Sequence, residues 1–417
     1  MKLQKTMVAL KSATAITLLS ATGAMADVSL EFTQWWEPEL PENALRSIVD
    51  DFQAANPGIT VTLNSGPYAT TRDQIAIGAA TGTLSDIVGL DGAWVNDLSK
   101  QNAIADMGPL MDAAEFDRDQ VADIIEVDGR SVMFPLASFV YPIFINTDMA
   151  AEVGITEMPS TRAEFLEAAQ KMTNADENRY GWTLPLSLQS PSGVQNDVLS
   201  WVWASGESMM DGGTPNLEGE AVIAALDYIK SMDEAGVIAP GISSKTEQEK
   251  VEEFVNGRVG MMVDTLAHVN LIRDRNPDLN FEITAIPVVE GYDGARGLPY
   301  ASWGIGISES TEHKEEAWKF VEYMMSEEVN ARLVSIANAF PGNVNAKPDF
   351  VTSDPAFGKA FEIFQEGYLA NEFTGLPVAV DLMRQFSVEI QKMLDGQQSP
   401  AEAAAAAQAS WMQEFEQ

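Results

Sequence analysis

Cysteine is absent from this chain of 417 residues, and histidine occurs only twice, at His268 and His313. Without cysteine the chain forms no disulfide, so its stability must come from a hydrophobic core. The chain is long enough to build such a core in each of two domains. Two histidines also argue against zinc clusters and against catalytic triads built on histidine.

The sequence also lacks the short motifs that position a nucleophile or a phosphate. No GxSxG turn, no GxxxxGK phosphate loop and no GxGxxG dinucleotide fingerprint occurs. Carboxylates are abundant, but nothing in the spacing of the 62 acidic residues selects a catalytic pair. We therefore predict a protein that is not an enzyme and that binds neither metal nor cofactor. A secreted polysaccharide-active enzyme is the least favoured alternative.

Basic residues are few: 25 stand against 62 acidic residues, which gives a net charge of −37. Three of them, Lys2, Lys5 and Lys11, flank or enter an apolar run near the N-terminus that ends in the pattern AMA. This pattern predicts a Sec signal peptide over residues 1–26, cleaved after Ala26. Its removal leaves 22 basic residues against 62 acidic ones, a net charge of −40. So acidic a chain is a poor partner for nucleic acid or an anionic membrane surface.

Short strand-like segments alternate with longer helix-like segments along the rest of the chain. Apolar residues have helical spacing over residues 45–52, and residues 59–63 alternate as a strand. We also predict a strand over Phe281–Val288, and a later helix capped by Ser310 or Thr311. Alternation of this kind favours open α/β sheets with helices on both faces. No stretch after the leader approaches the roughly 20 apolar residues that a membrane helix needs.

Open α/β sheets bind ligands at the carboxyl ends of their strands, so the residues that follow each strand are candidates for function. Trp35 and Trp36 follow the first predicted strand, Asp91 and Trp94 the third, and Asp264 a later one. Aromatic rings beside carboxylates suit a sugar, which offers both C–H patches and hydroxyls. Some of these residues have structural alternatives, since Trp36 also continues the apolar face of its strand.

Several short stretches then follow one another in an order that resembles one family. They are FQAANPGITV from Phe52, GTLSDIV from Gly82, DGRSVMFP from Asp128, FINTD from Phe144, PSTRAEF from Pro159, WVWASG from Trp201, FVNGRVGM from Phe254 and WGIGIS from Trp303. Together they resemble the extracellular solute-binding proteins of ABC importers, and within them the maltose-binding-like carbohydrate-binding family. Ser85 departs from the proline usual in the second stretch.

This resemblance implies a two-lobed α/β fold of the periplasmic binding protein kind, type II-like, with open mixed sheets flanked by helices and a ligand cleft between the lobes. Lobe 1 is expected to take residues 27–137 with 286–330, and lobe 2 residues 138–285 with 331–417. The protein is expected to work as a monomer that delivers its solute, unchanged, to the transmembrane subunits of an ABC permease. Because no cysteine is present for lipid attachment, a periplasmic location is expected.

The resemblance also implies which residues contact the ligand. It points to the turn after the first strand, the loop after the third, the first crossing segment and four further positions. These residues are Trp35, Trp36, Glu37, Asp91, Trp94, Phe139, Tyr141, Trp203, Asp264, Trp303 and Arg384.

The favoured ligand is a neutral carbohydrate, either a monosaccharide or an oligosaccharide. A polyamine is an alternative, since stacked aromatic rings and convergent carboxylates would bind it. A solute of the glycerol phosphate type is a further alternative, but it requires convergent basic groups, and only Arg384 is offered near the expected site.

Overall fold

The computed structural model describes residues 28–415, so the predicted signal peptide and its cleavage site after Ala26 lie outside the described residues. The strands are β1 Val28–Gln34, β2 Ile59–Ser65, β3 Ile87–Leu90, β4 Ile125–Val127, β5 Arg130–Val140, β6 Ile143–Asn146, β7 Tyr180–Trp182, β8 Met210–Asp211, β9 Thr214–Pro215, β10 Val259–Val263, β11 Phe281–Thr284, β12 Gly297–Ile307, β13 Phe340–Pro341 and β14 Tyr368–Ala370.

The helices lie between and after these strands. They are α1 Ala44–Ala55, α2 Tyr68–Thr81, α3 Gly92–Lys100, α4 Gly108–Ala113, α5 Thr147–Glu152, α6 Arg162–Met172, α7 Ser200–Trp203, α8 Glu220–Glu234, α9 Glu247–Val255, α10 His268–Arg275, α11 Lys314–Met325, α12 Glu327–Ala337, α13 Phe350–Ser353, α14 Pro355–Glu366, α15 Ala379–Leu394 and α16 Pro400–Phe415. A π-helical turn, Val194–Leu199, precedes α7.

The larger sheet has the strand order β13-β5-β12-β3-β1-β2, with β4 and β14 at its margins. Parallel pairs join β1 to β2 and to β3, whereas β12 runs antiparallel to β3 and β5. Helices α1, α2, α11 and α12 contact these strands. We call this sheet, with the helices packed on it, lobe 1.

The smaller sheet has the order β11-β6-β10-β7 and is also mixed, because β10 pairs in parallel with β7 but antiparallel with β6. Helices α5, α6 and α9 contact it, and we call this unit lobe 2. The expectation of mixed sheets flanked by helices is confirmed. The residue boundaries of the lobes stay a prediction, and β13 at Phe340–Pro341 pairs with β5 of the larger sheet.

Two local predictions are wrong. The strand expected over Phe281–Val288 ends at Thr284, and Val288 forms only an isolated bridge. Pro287 lacks a backbone N–H and cannot continue a central ladder. The helix expected to begin at Ser310 or Thr311 begins at Lys314 instead. The Thr311 hydroxyl donates to the Asp86 carboxylate, so that hydroxyl ties the loop to the end of the neighbouring strand.

Two long strands of lobe 1 lead toward lobe 2. Strands β5 and β12 pair antiparallel from Phe134 and Ile305 up to Val140 and Tyr300. Beyond this ladder the Tyr141 N–H donates to the Pro299 carbonyl at 2.9 Å. The crossing segment next to β5 therefore stays paired as it enters lobe 2. Among the described residues, no helix combines the length and apolar character needed to cross a bilayer.

Candidate functional site

A crevice between the lobes is marked by side chains that reach solvent and are nevertheless desolvated. Glu39, Tyr68, Asp91, Tyr141 and His268 all keep accessible surface, and Tyr68 is 38% exposed. In each, desolvation by the surrounding protein is still the largest influence on the pKa. A group on a convex surface is not both accessible and desolvated, because bulk water solvates a protruding group fully. The first three belong to lobe 1 and His268 to lobe 2, so the concavity lies between them.

Three aromatic rings pack together on the lobe 1 side of this crevice, and of these only Tyr68 is exposed, because Trp35 and Trp94 are 3% and 6% exposed. The Trp35 ring lies edge-on to the Tyr68 ring at 5.3 Å between centroids, and the Trp94 ring is 5.1 Å from Trp35 and 5.0 Å from Tyr68. We call these three side chains the aromatic wall. Trp35 and Trp94 were predicted to contact ligand, whereas Tyr68 was missed. Its signal was present, because Gly66-Pro67-Tyr68 directly follows β2, the parallel neighbour of β1.

Asp91 connects the aromatic wall to the backbone. Its Oδ1 accepts the Ala93 N–H at 2.9 Å and caps α3, and its Oδ2 accepts the Tyr68 hydroxyl at 3.2 Å. Desolvation raises the pKa of Asp91, and these two hydrogen bonds only partly oppose the rise. Both oxygens retain unused lone pairs, since a carboxylate offers about four acceptor sites. Asp91 can therefore hold the wall in place and still accept from a ligand.

The turn after β1 contributes two carboxylates with different surroundings. The Ser65 hydroxyl donates to the Glu37 carboxylate, so the predicted contact Glu37 is tied to the end of β2. The Glu39 carboxylate forms no hydrogen bond or ion pair with any other described residue, although the Glu39 N–H donates to the Trp36 carbonyl. Desolvation raises the pKa of Glu39 to about 7, and the charge of His268 acts in the opposite direction. At neutral pH this carboxylate is therefore poised between its two protonation states.

Tyr141 lies on the crossing segment, where carboxylates of both lobes act on its hydroxyl. Its pKa is raised well above the usual range, first by desolvation and then by Glu247, Asp264, Asp91 and Glu39. Its hydroxyl has no hydrogen-bond partner among the described residues. A phenol among four carboxylates, two from each lobe, is a donor directed into an acidic space.

A buried lysine organises the lobe 2 side. Lys250 is 0% exposed, and its Nζ lies 2.6 Å from the Val263 carbonyl, 3.4 Å from Asp197 Oδ2 and 3.9 Å from Asp264 Oδ1. It also pairs with Glu247 one turn earlier. Desolvation, the largest single influence, lowers the pKa of Lys250, but the three carboxylates outweigh it and the net shift is upward.

Asp264 was predicted to contact ligand, but the protein already engages it. The side chain is 1% exposed, and Oδ2 lies 2.9 Å from Nδ1 of His268. Burial raises the pKa of Asp264, whereas His268 and Lys250 lower it and prevail. Desolvation lowers the pKa of His268, but the charge of Asp264 and its hydrogen bond raise it, and the net shift is upward. His268 is 32% exposed, so the positive charge that Asp264 stabilises on it faces the crevice.

A second aromatic group lies behind the wall. Trp36 is 0% exposed and stacks on Trp303 at 5.4 Å, and Phe139 lies 4.8 Å from Trp303. Trp303 and Phe139 are 5% and 4% exposed. These three predicted contacts thus pack on one another, with Trp36 just after β1, Trp303 inside β12 and Phe139 near the end of β5. In this arrangement they support the crevice from below.

The last two predicted residues lie near other features. Trp203 is 1% exposed, and its Nε1 donates to Glu372 at 2.7 Å beside a cavity of about 390 Å³ that also touches Tyr300. Arg384, on α15, donates to Asp381 and, at 3.1 Å, to a backbone carbonyl of lobe 2. Neither residue is joined to the aromatic wall by a described contact. Their roles in ligand binding stay predictions.

The arrangement suits binding through hydrogen bonds and ring contacts. Within residues 28–415, no group of three or more carboxylate or imidazole side chains is placed to hold a metal ion. The two sides of the crevice offer carboxylate acceptors, a phenol and an imidazole beside the aromatic wall. Such groups are typical of a site that binds a polar organic ligand.

Comparison with known sequences finds solute-binding proteins. A family profile described as "Bacterial extracellular solute-binding protein" matches residues 38–331. A putative binding protein of Brucella abortus (strain 2308) is 25% identical over 310 residues, covering 73% of this chain and 74% of that protein. A maltooligosaccharide ABC transporter solute-binding lipoprotein of Streptococcus pneumoniae is 20% identical over 297 residues, covering 70% and 67%.

Comparison with solved structures gives the same fold. An ABC substrate-binding protein of Listeria monocytogenes, in complex with cycloalternan, has a TM-score of 0.78 at 18% identity over 92% of this chain and 98% of that chain. The maltose-bound MalE3 of T. maritima has a TM-score of 0.75 at 18% identity, with the same coverage. The two-lobed fold and the family resemblance predicted from the sequence are both confirmed.

Proposed function

Because the chain belongs to the bacterial extracellular solute-binding protein family, we propose that it captures a carbohydrate between its lobes and delivers it unchanged to the transmembrane subunits of an ABC permease. The observation that carries the proposal is the aromatic wall with Asp91 at its edge. Tyr68 supplies exposed aromatic surface with Trp35 and Trp94 packed against it, and the carboxylate supplies an acceptor in a desolvated setting. Relatives whose names mention sugars, including maltooligosaccharide and multiple sugars, support the same ligand class.

The sugar that the sequence favours is a neutral mono- or oligosaccharide. A glycerol phosphate type of solute is less well supported, because Lys250 and His268 are engaged by carboxylates and Arg384 pairs with Asp381. An anion would find no uncommitted cation among these groups. No observation at the site favours a polysaccharide-active enzyme.

A thermal-shift screen of the mature chain against sugars, polyols and polyamines tests the proposal. A bound sugar should raise the melting temperature in proportion to the logarithm of its concentration above Kd. Mass spectrometry of the recovered sugar should show the starting compound. Sugar cleavage, or stabilisation by polyamines and by no sugar, would overturn the proposed function.

We also propose that the protein acts in the periplasm as a monomer. The family is extracellular, and the leader pattern and missing cysteine support release into a Gram-negative periplasm. N-terminal sequencing of the exported chain should begin at Asp27, and light scattering should give the mass of one mature chain. Retention of residues 1–26 on the exported protein would contradict cleavage after Ala26.

A further inference from the structure

Residues 371–378 lead from β14 to α15, and we call them the latch segment. Near its start, the Glu372 carboxylate accepts the Nε1–H of Trp203 at 2.7 Å. Trp203 lies on α7, which contacts α8 as α15 and α16 do. After the segment, α15 is tied to the chain that follows β7 of lobe 2, because Gln391 Nε2 donates to the Leu186 carbonyl at 2.7 Å. Both ends of the latch segment are therefore fixed on the lobe 2 side.

The middle of the latch segment is bound to α3 of lobe 1. The Gly375 N–H donates to the Gly92 carbonyl at 3.0 Å, and Asn96 Nδ2 donates to the Gly375 carbonyl at 2.8 Å. The Val378 N–H donates to Asp97 Oδ1 at 2.9 Å. Three hydrogen bonds thus join lobe 1 to a segment whose two ends are held on lobe 2.

The contact with α3 is close, and part of its backbone is strained. A Cβ on Gly92 would lie 2.9 Å from both Oγ1 and Cγ2 of Thr374, which leaves no room for a side chain at position 92. Val378 has a φ of 44°, a left-handed conformation that is rare for a β-branched residue. Such a conformation persists only where the surrounding contacts outweigh its cost. The contacts with α3 therefore hold the segment against its own tendency to relax.

The bound part of α3 is also the part that carries the candidate site. Asp91 caps α3 and accepts the Tyr68 hydroxyl, and the carbonyl of the next residue, Gly92, is the one that the latch segment binds. Trp94 of the aromatic wall belongs to the same first turn. Movement of the latch segment away from α3 would therefore remove hydrogen bonds from the turn that positions Asp91.

We infer that residues 371–378 are an interlobe latch, bound to α3 when the lobes are together, and that Asn96 and Asp97 are its positioning residues on lobe 1. Because both ends of the segment are fixed on lobe 2, opening of the crevice breaks its three bonds to α3. The latch thus sets part of the cost of opening and steadies Asp91 while the lobes are closed. It goes beyond the proposed function and does not depend on which solute is captured.

Residue-resolved hydrogen exchange at the Gly375 amide, in the mature chain without ligand, measures how often the latch opens. Asp97→Ala removes the acceptor of the Val378 N–H and leaves the acceptor of the Gly375 N–H in place. If the three bonds act together, losing this one to a charged group should raise the Gly375 exchange rate about tenfold or more. Asp97→Asn keeps an oxygen for the Val378 N–H and should restore slow exchange. The amide of Met261, in β10, is the reference for global unfolding.

Asp106→Ala is the matched control. Asp106 is also a half-buried aspartate of lobe 1, and its Oδ1 accepts the Gly108 N–H at 2.9 Å and the Ser131 N–H at 3.0 Å. Both of these partners lie in lobe 1. Loss of this side chain should therefore leave the Gly375 exchange rate, relative to that of Met261, unchanged.

An engineered disulfide tests whether the latch spans the lobes. A Cβ on Gly92 would lie 3.3 Å from the Thr374 Cβ, close to the separation of about 3.5–4.5 Å in a disulfide. The natural chain has no cysteine to compete, so Gly92→Cys with Thr374→Cys should cross-link on oxidation. In small-angle X-ray scattering without ligand, Asn96→Ala with Asp97→Ala should give a larger radius of gyration than the oxidised pair. Oxidation should also slow Gly375 exchange relative to the reduced pair, a readout that remains if the alanine variants do not fold.

The outcomes separate the latch from a local contact. If Gly375 exchanges no faster in Asp97→Ala, or equally fast in Asp106→Ala, the three bonds do not form a cooperative latch. If exchange rises but the alanine variant and the oxidised pair have the same radius, the segment opens without the lobes and the interlobe assignment is overturned. Failure of the cysteine pair to cross-link would also overturn it. Each of these results leaves capture of a carbohydrate to be decided by the thermal-shift screen.

Discussion

Replacing Lys250 by methionine should destabilise the protein more than any surface substitution of similar size. The side chain is 0% exposed, and its charge is shared by Asp197, Asp264 and Glu247. Asp197 is 0% exposed, so removing the lysine leaves it buried without a counter-charge, whereas Asp264 keeps His268. Breaking a buried ion pair from one side costs about 3–5 kcal/mol. The lost hydrogen bond to the Val263 carbonyl is part of that figure, because the contributions overlap.

The loss of folding stability caused by Lys250→Met should grow as the pH rises. Desolvation already raises the pKa of Asp197 above its usual value against the opposing charge of Lys250, and removing the lysine raises that pKa further. The folded variant then binds more protons than the unfolded chain, and its stability falls as the pH rises. In the parent protein Lys250 stays charged across this range, because its pKa is shifted upward. We therefore expect a smaller deficit at pH 5 than at pH 8.

Urea unfolding followed by far-ultraviolet circular dichroism measures the effect at both pH values. Lys171→Met is the matched control, since Lys171 pairs with Glu167 at the surface and is 50% exposed, and it should change stability by about 0.5 kcal/mol or less. Adding Asp197→Asn to Lys250→Met should recover about 1 kcal/mol or more. A deficit no larger than the control's, or one that shrinks at high pH, would refute the reasoning.

Three further results are expected. Trp36→Ala should cost about 3–5 kcal/mol of unfolding free energy, measured with urea, because the ring is fully buried; a loss under about 1 kcal/mol would contradict its supporting role. Tyr68→Ala should weaken sugar binding about tenfold in calorimetry and cost less unfolding free energy than Trp36→Ala, since the Tyr68 side chain is 38% exposed; unchanged affinity would remove Tyr68 from the site. Glu39 has a pKa of about 7 against its usual 4.5, so its ionisation lowers stability as the pH rises between these values. Glu39→Gln should therefore stabilise the chain above pH 7 and leave it unchanged below about pH 4.5; a pH-independent difference would contradict the shift.

The sequence predicted the location of a residue best where the residue directly follows a strand. Trp35, Asp91 and Asp264 follow β1, β3 and β10, as predicted, because the carboxyl ends of these strands meet at the crevice. Tyr68 follows the same rule after β2, and applying the rule to every strand would have found it. The capping box at the start of α6 is likewise local, since Thr161 and Glu164 lie three residues apart and form both of its hydrogen bonds.

Residues whose roles depend on distant partners were beyond local reasoning. Lys250 lies in the charged run EQEKVEEF, where nothing distinguishes it from exposed neighbours, and its partner Asp197 is 53 residues away. The Nε1 of Trp203 is bound by Glu372 across 169 residues. The raised pKa of Glu39 likewise follows from desolvation by the surrounding protein. Such roles require the tertiary structure, because burial and pairing are properties of the assembled fold.

The stack of Phe139, Trp303 and Trp36 has a mechanical consequence. Phe139 is two residues before the crossing segment at Tyr141, and its ring touches Trp303, which stacks on Trp36 beside Trp35. If the lobes move by bending of the paired strands, Phe139 shifts against Trp303 and, through it, against Trp36. Because indole emission responds to such changes of contact, we expect tryptophan fluorescence to report opening and closing of the lobes. Phe139→Leu should uncouple that signal from lobe motion without adding or removing a fluorophore.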